Sequence, residues 1–231
     1  MLMSPQNLPE NIRRVQERIK LAAAECGRSV DSITLLAVCK SQPAEVVRAA
    51  ALAGLCEFGE SYVQEALGKI EALRDLALTW HFVGKIQTNK TRDIAENFAW
   101  VHGIDRLRIA ERLSAQRPSH APALNLCLQV NLGEEASKGG LAPPEVPELA
   151  ARIGALPRLR LRGLMCIPPA ASDRAAQRQP FAELSGLLAS LNARGAHLDT
   201  LSMGMSADFE AAILEGATIV RVGTALFGAR T

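Results

Sequence analysis

The apolar positions of this chain follow two alternating patterns. From Ile33 onward, short and mostly apolar runs of four to eight residues alternate with longer amphipathic segments, the signature of parallel strands joined by crossover helices. The runs are ITLLAVC (33–39), CEFG (56–59), WHFVG (80–84), AWVHG (99–103), LNLCLQVN (124–131), LRGLMCI (161–167), HLDTLS (197–202) and TIVRVG (218–223), eight in all. Helical segments are predicted at 43–53, 61–76, 90–98, 106–116, 145–156, 178–193 and 207–216, with a short final helix after the eighth strand. Eight strands, each followed by a helical segment, predict an α/β fold of the closed (β/α)8 TIM-barrel type; an open doubly wound sheet shows a similar alternation and is the competing architecture.

An extra helix precedes the repeat. Asn7 and Glu10 have the spacing of a capping box, and Ile12, Val15, Ile19, Ala22 and Cys26 keep helical spacing until Gly27. No Ser/Gly-rich linker or charge block divides the chain, so residues 1–231 read as a single domain, and the stretch AASDRAAQRQ (170–179) reads as a surface loop leading into a helix.

Composition narrows the classes of partner. Lys and Arg number 26 against 24 Asp and Glu, spread along the sequence, which leaves no electrostatic footprint for nucleic acid or an anionic membrane. The opening MLMSPQNLPENIRRV lacks the apolar stretch of a signal peptide, and no run reaches the length of a membrane span. The five cysteines (Cys26, Cys39, Cys56, Cys127, Cys166) form no C-x-x-C pair, and three sit in strand-like runs as small hydrophobes. Together these point to a reducing cytoplasm and a small-molecule partner. With four histidines and no H-E-x-x-H motif, no metal site is expected.

In barrels of this type the chemistry sits at the carboxyl ends of the strands. Lys40 directly follows the first run, where desolvation would lower its pKa and free an amine that attacks aldehydes; a lysine snorkelling to solvent is the competing reading. After strand seven, Ser202-Met203-Gly204-Met205-Ser206 leads into a helix, and after strand eight Gly223-Thr224 opens another. Both are loop-to-helix starts with open backbone N–H groups, the requirement for holding a phosphate dianion. Ser206 alone is as well explained as an N-cap and Gly223 as a tight turn, but barrel closure brings strand eight beside strand one and so beside Lys40. A lysine next to a phosphate cradle fits a phosphorylated aldehyde. Arg221, inside TIVRVG, is a permanent charge in a buried strand: either it pairs with a buried carboxylate, or it reaches a ring above the barrel mouth.

The segments LLAVCKSQP, EFGESYVQEA, WHFVGKIQTNK, GIDRLRIAERL, RLRGLMCIP, TLSMGMSADFEAAI and VRVGTALFGAR, in this order, resemble the pyridoxal phosphate homeostasis protein family, also called pyridoxal phosphate binding proteins, from about Leu35 to Arg230. The resemblance implies a barrel like the amino-terminal domain of alanine racemase, with pyridoxal 5′-phosphate held as a Schiff base and no established turnover. By position it implies Lys40 as the Schiff-base lysine, Ser206, Gly223 and Thr224 as phosphate ligands, and Arg221 as the residue facing the pyridine nitrogen. A cation that does not deprotonate there keeps that nitrogen unprotonated and the ring a poor electron sink. Two departures stand out. Gln42 replaces a second lysine in Lys40-Ser41-Gln42-Pro43, and Ser61 replaces an asparagine in Gly59-Glu60-Ser61. Binding is expected to survive both.

Other candidates have ordinary explanations. His81 in WHFVG either points into the mouth or is a satisfied core histidine, the favoured reading. Gln87, Asn89 and Lys90 fit capping and a solvated face, and Lys138 in EEASKGG fits a surface lysine, with a mobile second amine over the mouth as the alternative. The implied role is a monomeric carrier for vitamin B6 homeostasis, with apo-enzymes as possible recipients of the cofactor. Two enzymes compete with it. A pyridoxal phosphate-dependent racemase needs acid–base groups on both faces of the substrate carbon, and the only tyrosine, Tyr62, falls in the helix predicted after strand two. A Schiff-base aldolase acting on sugar phosphates would use the same lysine and cradle.

Overall fold

The computed structural model describes residues 7–133 and 139–228. Eight parallel strands close into a barrel in sequence order: β1 (Thr34–Val38), β2 (Glu57–Glu60), β3 (Thr79–Phe82), β4 (Trp100–Ile104), β5 (Leu124–Val130), β6 (Leu159–Cys166), β7 (Thr200–Ser202) and β8 (Ile219–Val222). Closure is explicit in the pairing of β1 with β8, which sets Leu36 opposite Arg221 and Ala37 opposite Val222. The open-sheet alternative is thereby excluded. Each apolar run coincides with a strand, because parallel strands covered on both faces tolerate few polar positions.

Helices α2 (Ala44–Leu52), α3 (Val63–Ala72), α4 (Thr91–Asn97), α5 (Leu107–Gln116), α6 (Val146–Gly154), α7 (Arg174–Ala193) and α8 (Phe209–Leu214) cover the outside, and α9 (Thr224–Phe227) follows β8. The preceding helix α1 (Leu8–Glu25) buries Leu8, Ile12, Val15, Ile19, Ala22 and Ala23 against α8 and α9. Asn11 fixes this packing by donating to the carbonyl of Leu226 at 3.0 Å, and Arg18 pairs with Glu210 at 2.6 Å while lying over the Phe209 ring.

Four expectations change. Asn7 makes no side-chain cap, so there is no capping box; Glu10 pairs instead with Arg13, one turn on. The segment read as a loop at 170–179 is helical from Arg174, because Asp173 caps the helix by accepting from the Ala176 N–H at 2.9 Å. Pro180 is accommodated inside that helix. Helix α3 begins at Val63 rather than at 61, leaving Tyr62 before it, and α8 begins at Phe209 rather than at 207. Lys138 lies outside the described residues.

The barrel lumen is polar in its middle. The ring of His102 on β4 reaches the hydroxyl of Ser202 on β7 at 2.8 Å, and those strands are not neighbours, so the contact crosses the interior. Cys39, Cys127 and Cys166 are buried, and burial pushes the thiols of Cys127 and Cys166 up to about 12. They are packing residues.

Candidate functional site

Lys40, Ser206, Arg221, Gly223 and Thr224 line one cavity of about 270 Å³ at the carboxyl ends of β1 and β8, near the lower end of small-molecule sites at about 300 Å³. The fold thus brings together the five residues that were singled out along the sequence. Lys40 stands in a sharp turn after β1, where Ser41 has φ 63°. A non-glycine residue with a left-handed backbone is uncommon and needs support from its surroundings. Here the support is specific: the Ser41 N–H donates to Glu65 at 2.6 Å, and the Gln42 N–H to the carbonyl of Cys39 at 3.0 Å.

Beneath this turn lies a charged cluster that the sequence reading passed over. The Lys69 ammonium donates to the Cys39 carbonyl at 2.8 Å, to Glu60 at 2.6 Å and to Glu65 at 2.5 Å. Lys69 is 6% exposed and Glu60 fully buried. Burial pushes the Glu60 carboxyl up, opposed by Lys69, and the Cys39 thiol donates to the same carboxylate at 3.1 Å. The signals were present as the spacing Glu65 to Lys69 and as a carboxylate inside EFGE.

On the far side of the cavity, the loop after β7 is closed by Asp208, which accepts from the Met205 N–H at 2.6 Å. Gly204, with φ 89°, must be glycine, since a Cβ would fall 2.6 Å from Ala212 Cβ and 2.9 Å from Phe209 Cα. Its carbonyl accepts from the Arg221 N–H at 2.9 Å. Ser206 is therefore a loop residue, three positions before α8 rather than at its start. Its hydroxyl accepts from the Ala225 N–H in α9 at 3.1 Å, which ties the two loops together. Among the described residues the amides of Ser206, Ala207 and Thr224 find no acceptor, so the cavity wall presents open N–H donors.

Of the two arrangements foreseen for it alone, Arg221 does not take the direct carboxylate pair; it lines the cavity at the mouth. It is buried, and among the described residues no carboxylate is in direct contact with it. One terminal nitrogen donates to the carbonyl and hydroxyl of Ser202, the latter at 2.9 Å, and the other to the carbonyl of Cys166 at 2.8 Å. A guanidinium has five N–H groups, so two lie outside these three bonds, and Arg221 lines the cavity. His81 is a satisfied core histidine, as favoured: buried in the lumen, stacked on Trp100 at 5.5 Å and hydrogen-bonded to Glu57 and His102. Ser61 borders both this cavity and a neighbouring cleft lined by Tyr62, Lys85, Gln87 and Lys90, which also touches Lys40. No cluster of metal-ligating residues occurs among the described residues.

An amine, a buried guanidinium and open amides around one cavity at the mouth of a parallel barrel define an α/β barrel built to hold an anion beside a nucleophile. Comparison with known proteins agrees. A family model described as alanine racemase, N-terminal domain, matches residues 4–231. The pyridoxal phosphate homeostasis protein of Pseudomonas aeruginosa is 60% identical over 223 residues, covering 96% of each chain; that of Escherichia coli is 49% identical over 227 residues, covering 97% of each. The chain belongs to the alanine racemase N-terminal domain family and, within it, to the pyridoxal phosphate homeostasis proteins. PipY of Synechococcus elongatus, solved with PLP bound, superposes with a TM-score of 0.81 at 39% identity, over 93% of this chain and all of that one. Alanine racemase of Corynebacterium glutamicum, at 17% identity and a TM-score of 0.69, shares the fold over 62% of its length.

Proposed function

We propose that this protein holds pyridoxal 5′-phosphate in the Lys40 cavity for intracellular cofactor homeostasis. The observation that carries the reading is the convergence of Lys40, Arg221 and open amides on one cavity of the right size, and the PLP-bound relative supports it. The Lys40 amine would hold the cofactor, which would supply an aldehyde as the group this amine binds.

The chain's own residues divide the work. The open amides and hydroxyls of Ser206 and Thr224, with the turn at Gly223, would hold the phosphate, and Ser206 braces α9. Arg221, fixed by Ser202 and Cys166, would present a permanent donor to the ring nitrogen and repel a protonated ring. That favours retention of the cofactor over carbanion chemistry, so the protein is a non-catalytic holder. The names of its relatives support this role.

The whole chain acts as a single domain, in the cytoplasm. No helix among the described residues is long and apolar enough to cross a membrane. A monomer fits the scatter of its exposed large apolar residues, such as Leu21, Leu52 and Tyr62, and apo-enzymes are the recipients of the cofactor. The role is tested by incubating loaded protein with an apo-enzyme: transfer of the cofactor without turnover of amino acids supports it, and steady racemisation contradicts it.

A further inference from the structure

Five side chains form an unbroken hydrogen-bond chain through the barrel lumen. Arg221 Nη1 lies 2.9 Å from Ser202 Oγ, Ser202 Oγ 2.8 Å from His102 Nδ1, His102 Nε2 2.9 Å from His81 Nδ1, and His81 Nε2 2.6 Å from Glu57 Oε2. Its ends differ in setting. Arg221 lines the cavity at the mouth, whereas Glu57 opens β2 at the opposite end of the barrel and keeps 27% of its side-chain surface in solvent.

The chemistry of the groups fixes the direction. Arginine only donates, so Ser202 accepts from it; a carboxylate only accepts, so His81 carries its proton on Nε2. His81 Nδ1 is then an acceptor, His102 carries its proton on Nε2, and His102 Nδ1 accepts a hydrogen bond donated by the Ser202 hydroxyl. Reversing any link requires a protonated Glu57 or an imidazolium in the lumen. Burial opposes the latter, holding His81 below the usual histidine range and His102 well below it, with His81 and Arg221 adding to the effect at His102. Both rings are neutral, and each has one defined tautomer.

We propose that Ser202, His102, His81 and Glu57 are a one-way relay that couples Arg221 at the cofactor face to a carboxylate on the barrel floor, making all four positioning residues for Arg221. Among the described residues no carboxylate touches the guanidinium; Asp208 acts on it through space, and Glu57 reaches it through a line of dipoles that all point the same way. The other ionisable groups around the relay are Asp208 at the mouth, the thiols of Cys127 and Cys166 near Arg221, and Arg162 with Asp199 toward the floor. Arg162 also lies over the Trp100 ring, at 4.9 Å, against which His81 stacks. None of these interrupts the chain. The consequence for the cofactor rests on the site reading above; the relay itself does not.

The test therefore has a ligand-free arm and a loaded arm. In 15N-labelled protein without cofactor, the relay predicts His81 and His102 as neutral Nε2–H tautomers. It also predicts that Glu57→Gln moves the Arg221 side-chain resonances, and that Ser202→Ala abolishes this response. A protonated Nδ1 on either ring, or Arg221 resonances indifferent to Glu57→Gln, would overturn the relay. In loaded protein, removing the floor charge makes protonation at the cofactor less favourable. Glu57→Gln should lower the pH midpoint of the bound chromophore by roughly half a unit, and the Ser202→Ala background should blunt that shift. An unchanged midpoint in Glu57→Gln would reduce the chain to a packing role. Failure of the wild-type protein to take up pyridoxal phosphate would count against the site reading alone, leaving the tautomers and the Arg221 response to decide the relay.

Discussion

The ammonium of Lys69 lies 2.8 Å from the main-chain carbonyl of Cys39, the residue that precedes Lys40. The same ammonium neutralises Glu60, so a buried ion pair acts as the foundation of the turn carrying the reactive amine. Lys69→Met should remove the cation and leave the Glu60 charge buried with only the Cys39 thiol as a donor, at a cost of about 3–5 kcal/mol. Chemical denaturation would measure the loss. The double variant Lys69→Met/Glu60→Leu should recover much of it, since replacing both charges removes the orphaned one.

Gly204 offers a test of the opposite wall. Gly204→Ala forces a Cβ into the space held by Ala212 and Phe209 and strains a left-handed backbone. The fold should lose about 1–3 kcal/mol from the backbone strain alone, with more from the clash. Because the Gly204 carbonyl holds the Arg221 amide, cofactor affinity should fall as well. Thermal unfolding with and without cofactor separates the two effects.

The lumen histidines set a pH signature. In the unfolded chain a histidine takes up a proton as pH falls through about 6.5. In the fold, burial depresses both His81 and His102, so there the protons bind only at lower pH. The unfolded state thus holds more protons below about 6.5, and stability is full above that value and falls as pH drops. The slope is at most about 1.4 kcal/mol per pH unit for each histidine. Denaturation series between neutral and mildly acidic pH should show it, with a shallower slope in His102→Gln. Buried Glu60 and Asp208, whose carboxyls are pushed up, act in the opposite sense nearer the carboxylate range.

Much of this architecture is legible in the sequence because the barrel imposes a repeat. All eight strands fall within two or three residues of their apolar runs, and the ends of β1, β7 and β8 carry the residues that line the cavity. What escapes is of two kinds. Helix starts depend on which side chain closes the first turn, so the cap supplied by Asp173 and the bare start at Asn7 were not readable from composition. The relay escapes because its members are far apart in the chain: His102 and Ser202 are 100 positions apart, and only closure of the barrel brings β4 and β7 face to face. Arg221 was readable as an anomaly, a charge in a strand, but the sequence offered a direct carboxylate partner where the fold supplies carbonyls and a chain of neutral groups.

The central claim is that Lys40 carries pyridoxal 5′-phosphate, and the most direct measurement is the absorption spectrum of the purified protein before and after borohydride reduction, with peptide mapping of the reduced adduct. The account predicts a visible imine band in the wild-type protein, lost on reduction, with the adduct on Lys40. Lys40→Ala should fold normally and lack the band, since its side chain contributes little to the core. A wild-type protein that stays colourless with added cofactor, or a Lys40→Ala variant that keeps an unchanged imine spectrum, would contradict it.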